Sequence, residues 1–255
     1  MKFFLEPSYT NGKVVLLKNT NNGHSYGKNK PKTQKKGGSV SPVKKMALIG
    51  VFSAFAFVLT LVSSLIPISV AGFLSYDPKD IIVAIAGFIL GPSSALIISV
   101  ITGILELSIS STGIIGCIMN IISTAAFAGV SSLIYKKNRS IKGAIFGLIT
   151  ACLVTTGLMI AWNAFVTPYY MHVPRETVYG MLLPVFLPFN LIKTGINATL
   201  TILIYKPIVK ALRKIKIIKE SERATPSKSS LGVILVSVFI LISLIFAFLI
   251  IAGVI

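Results

Sequence analysis

The sequence predicts an all-α membrane protein, and three observations carry that reading. Only 13% of the residues are charged, against roughly 25% in a soluble domain. The apolar residues make up 54% of the chain, with a mean hydropathy of +0.84. They fall in long blocks, several of about 20 residues or more, the length that crosses a bilayer. All but Lys79, Arg175 and Lys193 of the 25 lysines and arginines lie in three segments, residues 1–45, 136–142 and 206–228. Cations clustered in alternate connections are the positive-inside signature. This placement, rather than the net charge of +18, identifies the partner surface. It is membrane lipid flanking the spans and not nucleic acid.

Residues 1–45 are rich in Lys, Asn, Gly and Ser and carry too few apolar side chains to form a core. They read as a disordered cytoplasmic tail with no signal peptide. A first helix is expected over Ala47–Ile66. The apolar block Ile81–Leu105 is interrupted by "LGPSS" at Leu90–Ser94. Proline cannot continue the hydrogen-bond ladder, so this block predicts two short helices, 80–90 and 92–106, meeting at a turn. Helices are expected next over Ile114–Tyr135, Ala144–Val166 and Pro184–Tyr205. The last two are joined by an outer loop, "TPYYMHVPRETVYG". Residues 46–215 therefore form a six-helix membrane domain. A linker follows at 216–230, and 231–255 is an additional transmembrane helix. An inside N-terminus and seven crossings place the C-terminus outside. Asp77, Asp80, Glu106 and Glu176 then fall on outer connections or outer helix ends.

Catalytic motifs are scarce. There is no G-x-x-x-x-G-K-[ST] phosphate loop, no H-E-x-x-H and no G-x-S-x-G. The two histidines, His24 and His172, lie in the tail and an outer loop. Cys117 and Cys152 lack metal-ligand spacing. No enzyme activity, metal or cofactor is expected. The polar residues suit binding better. Asn190, Lys193 and Asn197 stand at i, i+3 and i+7 and share one helix face. Asn163 follows Trp162 in the preceding helix. An amide supplies a donor and an acceptor, and an ammonium supplies donors only. Together they match a planar ligand with an acceptor–donor–acceptor edge, whose flat faces aromatic side chains such as Trp162 could cover. Spacing alone leaves two plainer alternatives: asparagines that bond between helices, and a lysine that snorkels to the headgroups. In the first helix, Ala47, Gly50 and Ala54 form a small-residue face that lets another helix approach closely.

The motifs "FLSYDPKDIIVAIAGFILGP" (73–92), "KKNRSIKGAIFGLI" (136–149), "WNAFVTPYY" (162–170) and "LPFNLIKTG" (187–195) resemble the S component of energy-coupling-factor (ECF) vitamin transporters, riboflavin type. The resemblance covers about residues 44–215. It implies a six-helix S-component-like bundle, to which this chain adds a helix and a basic tail. It implies that Asn163, Asn190 and Lys193 hydrogen-bond the pyrimidine edge of a flavin, here riboflavin as transported ligand. The first outer loop, Phe73, Leu74, Ser75 and Tyr76, would cap the site, with Asp77 and Asp80 structural. The small-residue face Ala47, Gly50, Ala54 would dock a transmembrane coupling subunit driven by two ABC-type ATPase subunits. "IKTG" stands where I-K-G is commoner. The alternatives are an S component for another vitamin or flavin derivative, a membrane-embedded lipid- or prenyl-modifying enzyme, and a scaffold that binds no small molecule.

Overall fold

The computed structural model describes residues 7–10, 13–16, 41–65, 69–110, 113–214 and 231–254. The 216–230 segment and most of the basic tail lie outside them. Residues Met1–Gly38 form a unit of their own. Within it, strand β1 (Pro7–Thr10) pairs antiparallel with β2 (Lys13–Leu16). Residues Ser39–Ile255 form the second unit, whose described residues make a helical bundle with one short β-hairpin.

Helix α1 (Pro42–Ser64) starts earlier than Ala47 because residues 41 and 42 are built to begin it. The Ser41 hydroxyl accepts from the Lys44 amide at 3.4 Å, and Pro42 occupies the first turn, where its missing N–H costs nothing. A short hairpin of β3 (Ser69–Val70) and β4 (Leu74–Ser75) follows. Helices α2 (Lys79–Leu90) and α3 (Pro92–Glu106) are the two short helices expected around "LGPSS". Between them Gly91 adopts φ 98°, ψ 165°, a region essentially restricted to glycine. Gly91→Ala should therefore lower stability by about 1–3 kcal/mol, read as a lowered midpoint of thermal unfolding in detergent.

Every residue of α2 from Lys79 to Phe88 is buried, so α2 is the axis of the bundle. Its apolar side chains Ile82, Val83 and Ala86 pack into a core with Leu48 and Phe52 of α1, Ile98 of α3, Phe127 of α4 (Gly113–Lys137) and Leu148 of α5 (Ile141–Met171). Helix α5 opens on Ser140, whose hydroxyl accepts from the Gly143 amide at 3.1 Å. It runs past the expected end at Val166 to Met171 and carries Pro168 inside it, at the cost of one backbone hydrogen bond. His172 then stops it at φ 54°.

The expected outer loop is itself partly helical. α6 (Arg175–Met181) leads through a π-turn, Leu182–Phe186, into α7 (Leu187–Lys214). Pro184 lies inside this wider turn. Helix α8 (Leu231–Ile251) lies along α7. A second apolar cluster joins Val70 and Leu74 of the hairpin to Val178, Phe186, Phe189, Ile196 and Phe248. Among the described residues, five helical stretches are long and apolar enough to cross a bilayer. With the shorter α2 and α3 they give the expected order of helices.

Candidate ligand-binding site

The site is built under the β3–β4 hairpin. Ala71 and Gly72 turn the chain through positive φ (54° and 80°). The register Val70↔Leu74 sends both of these side chains inward, each under 10% exposed. Phe73 lies half-buried at the tip, its ring 5.9 Å from that of Phe186. Beneath the hairpin, a cleft of about 50 Å³ opens between Phe73, Leu74, the start of α4 and the last turns of α5. Its lining is mostly apolar, and Trp162, Asn163, Thr167 and Tyr170 are the lining residues whose side chains carry a polar atom.

Asn163 is buried and oriented by its own helix. Its Nδ2 donates to the Met159 carbonyl at 2.6 Å, and its Oδ1 accepts from Thr167 Oγ1 at 2.8 Å. One amide hydrogen and one lone pair remain. Asn190, also buried, donates Nδ2 to the Phe186 carbonyl at 2.8 Å, at the end of the π-turn. Among the described residues nothing donates to its Oδ1. One turn on, Lys193 is half-buried and makes no hydrogen bond or ion pair with any described residue. Its charge acts at longer range on Asp77 and Asp80.

Of the residues singled out from sequence, Phe73, Leu74, Trp162 and Asn163 converge on the cleft. Asn190 and Lys193 stand on α7, below Phe186. Ser75 is exposed. Tyr76 turns away from the cleft and donates its hydroxyl to Asn197 Oδ1 at 2.8 Å. Asn197 is wholly buried and structural. Its Nδ2 reaches the Asp77 carbonyl at 3.2 Å and Asp80 Oδ2 at 3.3 Å.

Sequence reasoning missed what lies beneath. Lys79 is 1% exposed and ion-pairs with Asp77 and, at 2.6 Å, with Glu106. Thr60 of α1 donates to Asp77 at 3.2 Å, Asn120 of α4 to Glu106 at 2.9 Å, and Thr124 of α4 to Asp80 at 2.7 Å. This network ties α1, α2, α3, α4 and α7 together around the foot of the hairpin. The available signal was that Lys79 is one of three cations outside the basic clusters, flanked by acids in "DPKD". Among the described residues no group of three or more His, Cys, Asp or Glu could hold a metal ion. Ala47, Gly50 and Ala54 are all exposed on α1, and a Cβ at Gly50 would meet nothing within 4 Å.

A multi-pass helical bundle, with a narrow and mostly apolar cleft under a capping hairpin and the buried amide of Asn163 in its wall, defines a membrane-embedded binding protein for a small molecule. The chain belongs to the family of substrate-specific components of ECF transporters, whose model matches residues 44–205. It is 30% identical over 178 residues to the riboflavin transporter RibU of Staphylococcus aureus (strain TCH60), covering 68% of this chain and 94% of that protein. It is also 30% identical over 161 residues to the riboflavin transporter FmnP of Bacillus subtilis (strain 168), covering 59% of this chain and 84% of that one. A solved S component of a bacterial ECF transporter superimposes with a TM-score of 0.58 at 30% identity, covering 67% of this chain and 98% of that structure.

Proposed function

We propose that this chain captures riboflavin from outside the cell and presents it to an ATP-driven import machine. The observation that carries the reading is Lys193, a half-buried cation on a membrane helix with no direct partner among the described residues, one turn from the unused Oδ1 of Asn190. An unpaired charge at membrane depth is costly and is retained where it faces a functional partner. A flavin's pyrimidine edge offers carbonyl, N–H and carbonyl in sequence. Lys193 donates to one carbonyl, Asn190 Oδ1 accepts the ring N–H, and the spare amide hydrogens of Asn190 and Asn163 serve the other carbonyl. Phe73, Leu74 and Trp162 cover the ring faces. The two similar riboflavin transporters support the choice of ligand.

A cleft of about 50 Å³ is well below the roughly 300 Å³ of ordinary ligand pockets. Binding therefore requires the cap, residues 73–76, to move outward. The decisive experiment is a titration of riboflavin into the detergent-purified protein, read as quenching of flavin emission. Saturable quenching is expected. Its absence with folded protein refutes the choice of ligand.

The tail and Lys206 side of the bundle face the cytoplasm in this reading, and the C-terminus lies outside. The bare face of Ala47, Gly50 and Ala54 receives a transmembrane coupling subunit, and two ABC-type ATPase subunits supply the energy. Gly50→Leu should leave riboflavin affinity unchanged while blocking cellular uptake. The check is a binding titration beside an uptake assay with the coupling and ATPase subunits co-expressed.

A further inference from the structure

Helix α8 begins at Leu231, beyond the family match that ends at residue 205, so it is an addition to the shared architecture. One of its faces is bare, with Phe239 73% and Phe246 58% exposed. The other packs against α7 at the turn that carries Lys193. A Cβ on Gly195 would lie 3.0 Å from the Leu244 side chain, so glycine there lets α8 approach the backbone of α7 closely. One turn further along α8, Phe248 is 7% exposed. Its ring centre lies 6.0 Å from that of Tyr76, edge-on, and 6.4 Å from that of Phe189. Tyr76 follows β4 directly and forms the foot of the cap. Phe189 precedes Asn190. A single side chain of α8 thus touches both the cap and the helix that carries the proposed ligand contacts.

We infer that α8 braces the cap hairpin, with Phe248 as the positioning residue that holds Tyr76 against α7 and slows ligand release. The proposal rests on the binding reading above for its ligand, and on geometry alone for the brace. The cap must move for a three-ring ligand to enter or leave. Tyr76 is anchored at its hydroxyl by Asn197 and at its ring by Phe248. Removing the ring contact leaves one anchor and lowers the barrier to opening.

The test measures two quantities on the full chain in detergent, for Phe248→Ala, Phe248→Leu, and Phe246→Ala on the bare face. The first is riboflavin dissociation after dilution, by fluorescence. The second uses no ligand. It is the rate at which a hydrophilic maleimide labels Val70→Cys, a buried hairpin position, over the background of Cys117 and Cys152. For Phe248→Ala, dissociation about tenfold faster and a matching rise in Val70→Cys labelling are expected. Phe248→Leu should restore most of both, and Phe246→Ala should alter neither. Unchanged labelling in Phe248→Ala, or an equal rise in Phe246→Ala, overturns the brace. If the unaltered chain does not quench riboflavin, the choice of ligand fails while the labelling still decides the brace. Should Phe248→Ala fail to fold, Leu244→Ala on the same face is judged by the same criteria.

Discussion

Lys193→Ala should weaken riboflavin binding by about tenfold to a hundredfold, the range set by losing one charged hydrogen bond in a desolvated site. Asn190→Ala should cost a similar factor, because it removes the acceptor for the ring N–H and a donor together. Fold stability should fall by less than affinity in Lys193→Ala, since the ammonium makes no hydrogen bond or ion pair with any described residue and acts on Asp77 and Asp80 only at longer range. That contrast separates a ligand contact from a structural lysine such as Lys79: affinity falls sharply while the ligand-free unfolding midpoint drops only modestly. Ligand should also protect the unaltered chain against heat far more than the variant, because stabilisation by mass action follows affinity. Unchanged affinity in both variants would remove α7 from the site.

The opposite pattern is expected at Lys79. Lys79→Met leaves Asp77 and Glu106 facing each other without their cation, and Glu106 is only 3% exposed. Removing one partner of a buried ion pair costs about 3–5 kcal/mol. The effect should appear as a large drop in the unfolding midpoint with or without ligand, and as poor yield of folded protein. Lys79→Met combined with Asp77→Asn and Glu106→Gln removes the uncompensated charge and should recover much of the loss. If the triple variant is no more stable than Lys79→Met, packing of the lysine stem, and not charge balance, is what the fold requires.

The helix pattern was legible because it depends on local chemistry. A long apolar run implies a span, and a glycine followed by proline implies a break, whatever surrounds them. The ends of α5 and the start of α7 were less legible. Pro168 reads as a terminator, yet α5 continues through it to Met171, a local cost that the sequence does not show to be offset. The π-turn at Leu182–Phe186 has no periodicity distinct from an ordinary helix. Asn163 and Trp162 were legible by residue type, an amide beside an aromatic in an apolar helix, whereas Phe73 and Leu74 were reached only through the resemblance of the motif that carries them. The Lys79 network was not legible. Its members come from positions 60 to 197, and only the packed bundle brings them together. Tyr76 reads as one more aromatic of the cap, and the partner that turns it toward α7 lies 121 residues away.

The shortness of α2 and α3 bears on how the chain enters the membrane. Helices of 12 and 15 residues are roughly 18 and 22 Å long, and neither reaches across a hydrocarbon layer of about 30 Å. The turn at Gly91 makes them a hairpin, and Lys79 at its first residue pairs with Glu106 at its last. Lys79 and Glu106 can therefore pair before any helix that follows them in the chain is present. The unit expected to enter the bilayer is this closed pair rather than either helix alone. A lone α2 would carry an exposed lysine into lipid, so a chain interrupted between residues 91 and 106 should be retained outside the bilayer and degraded.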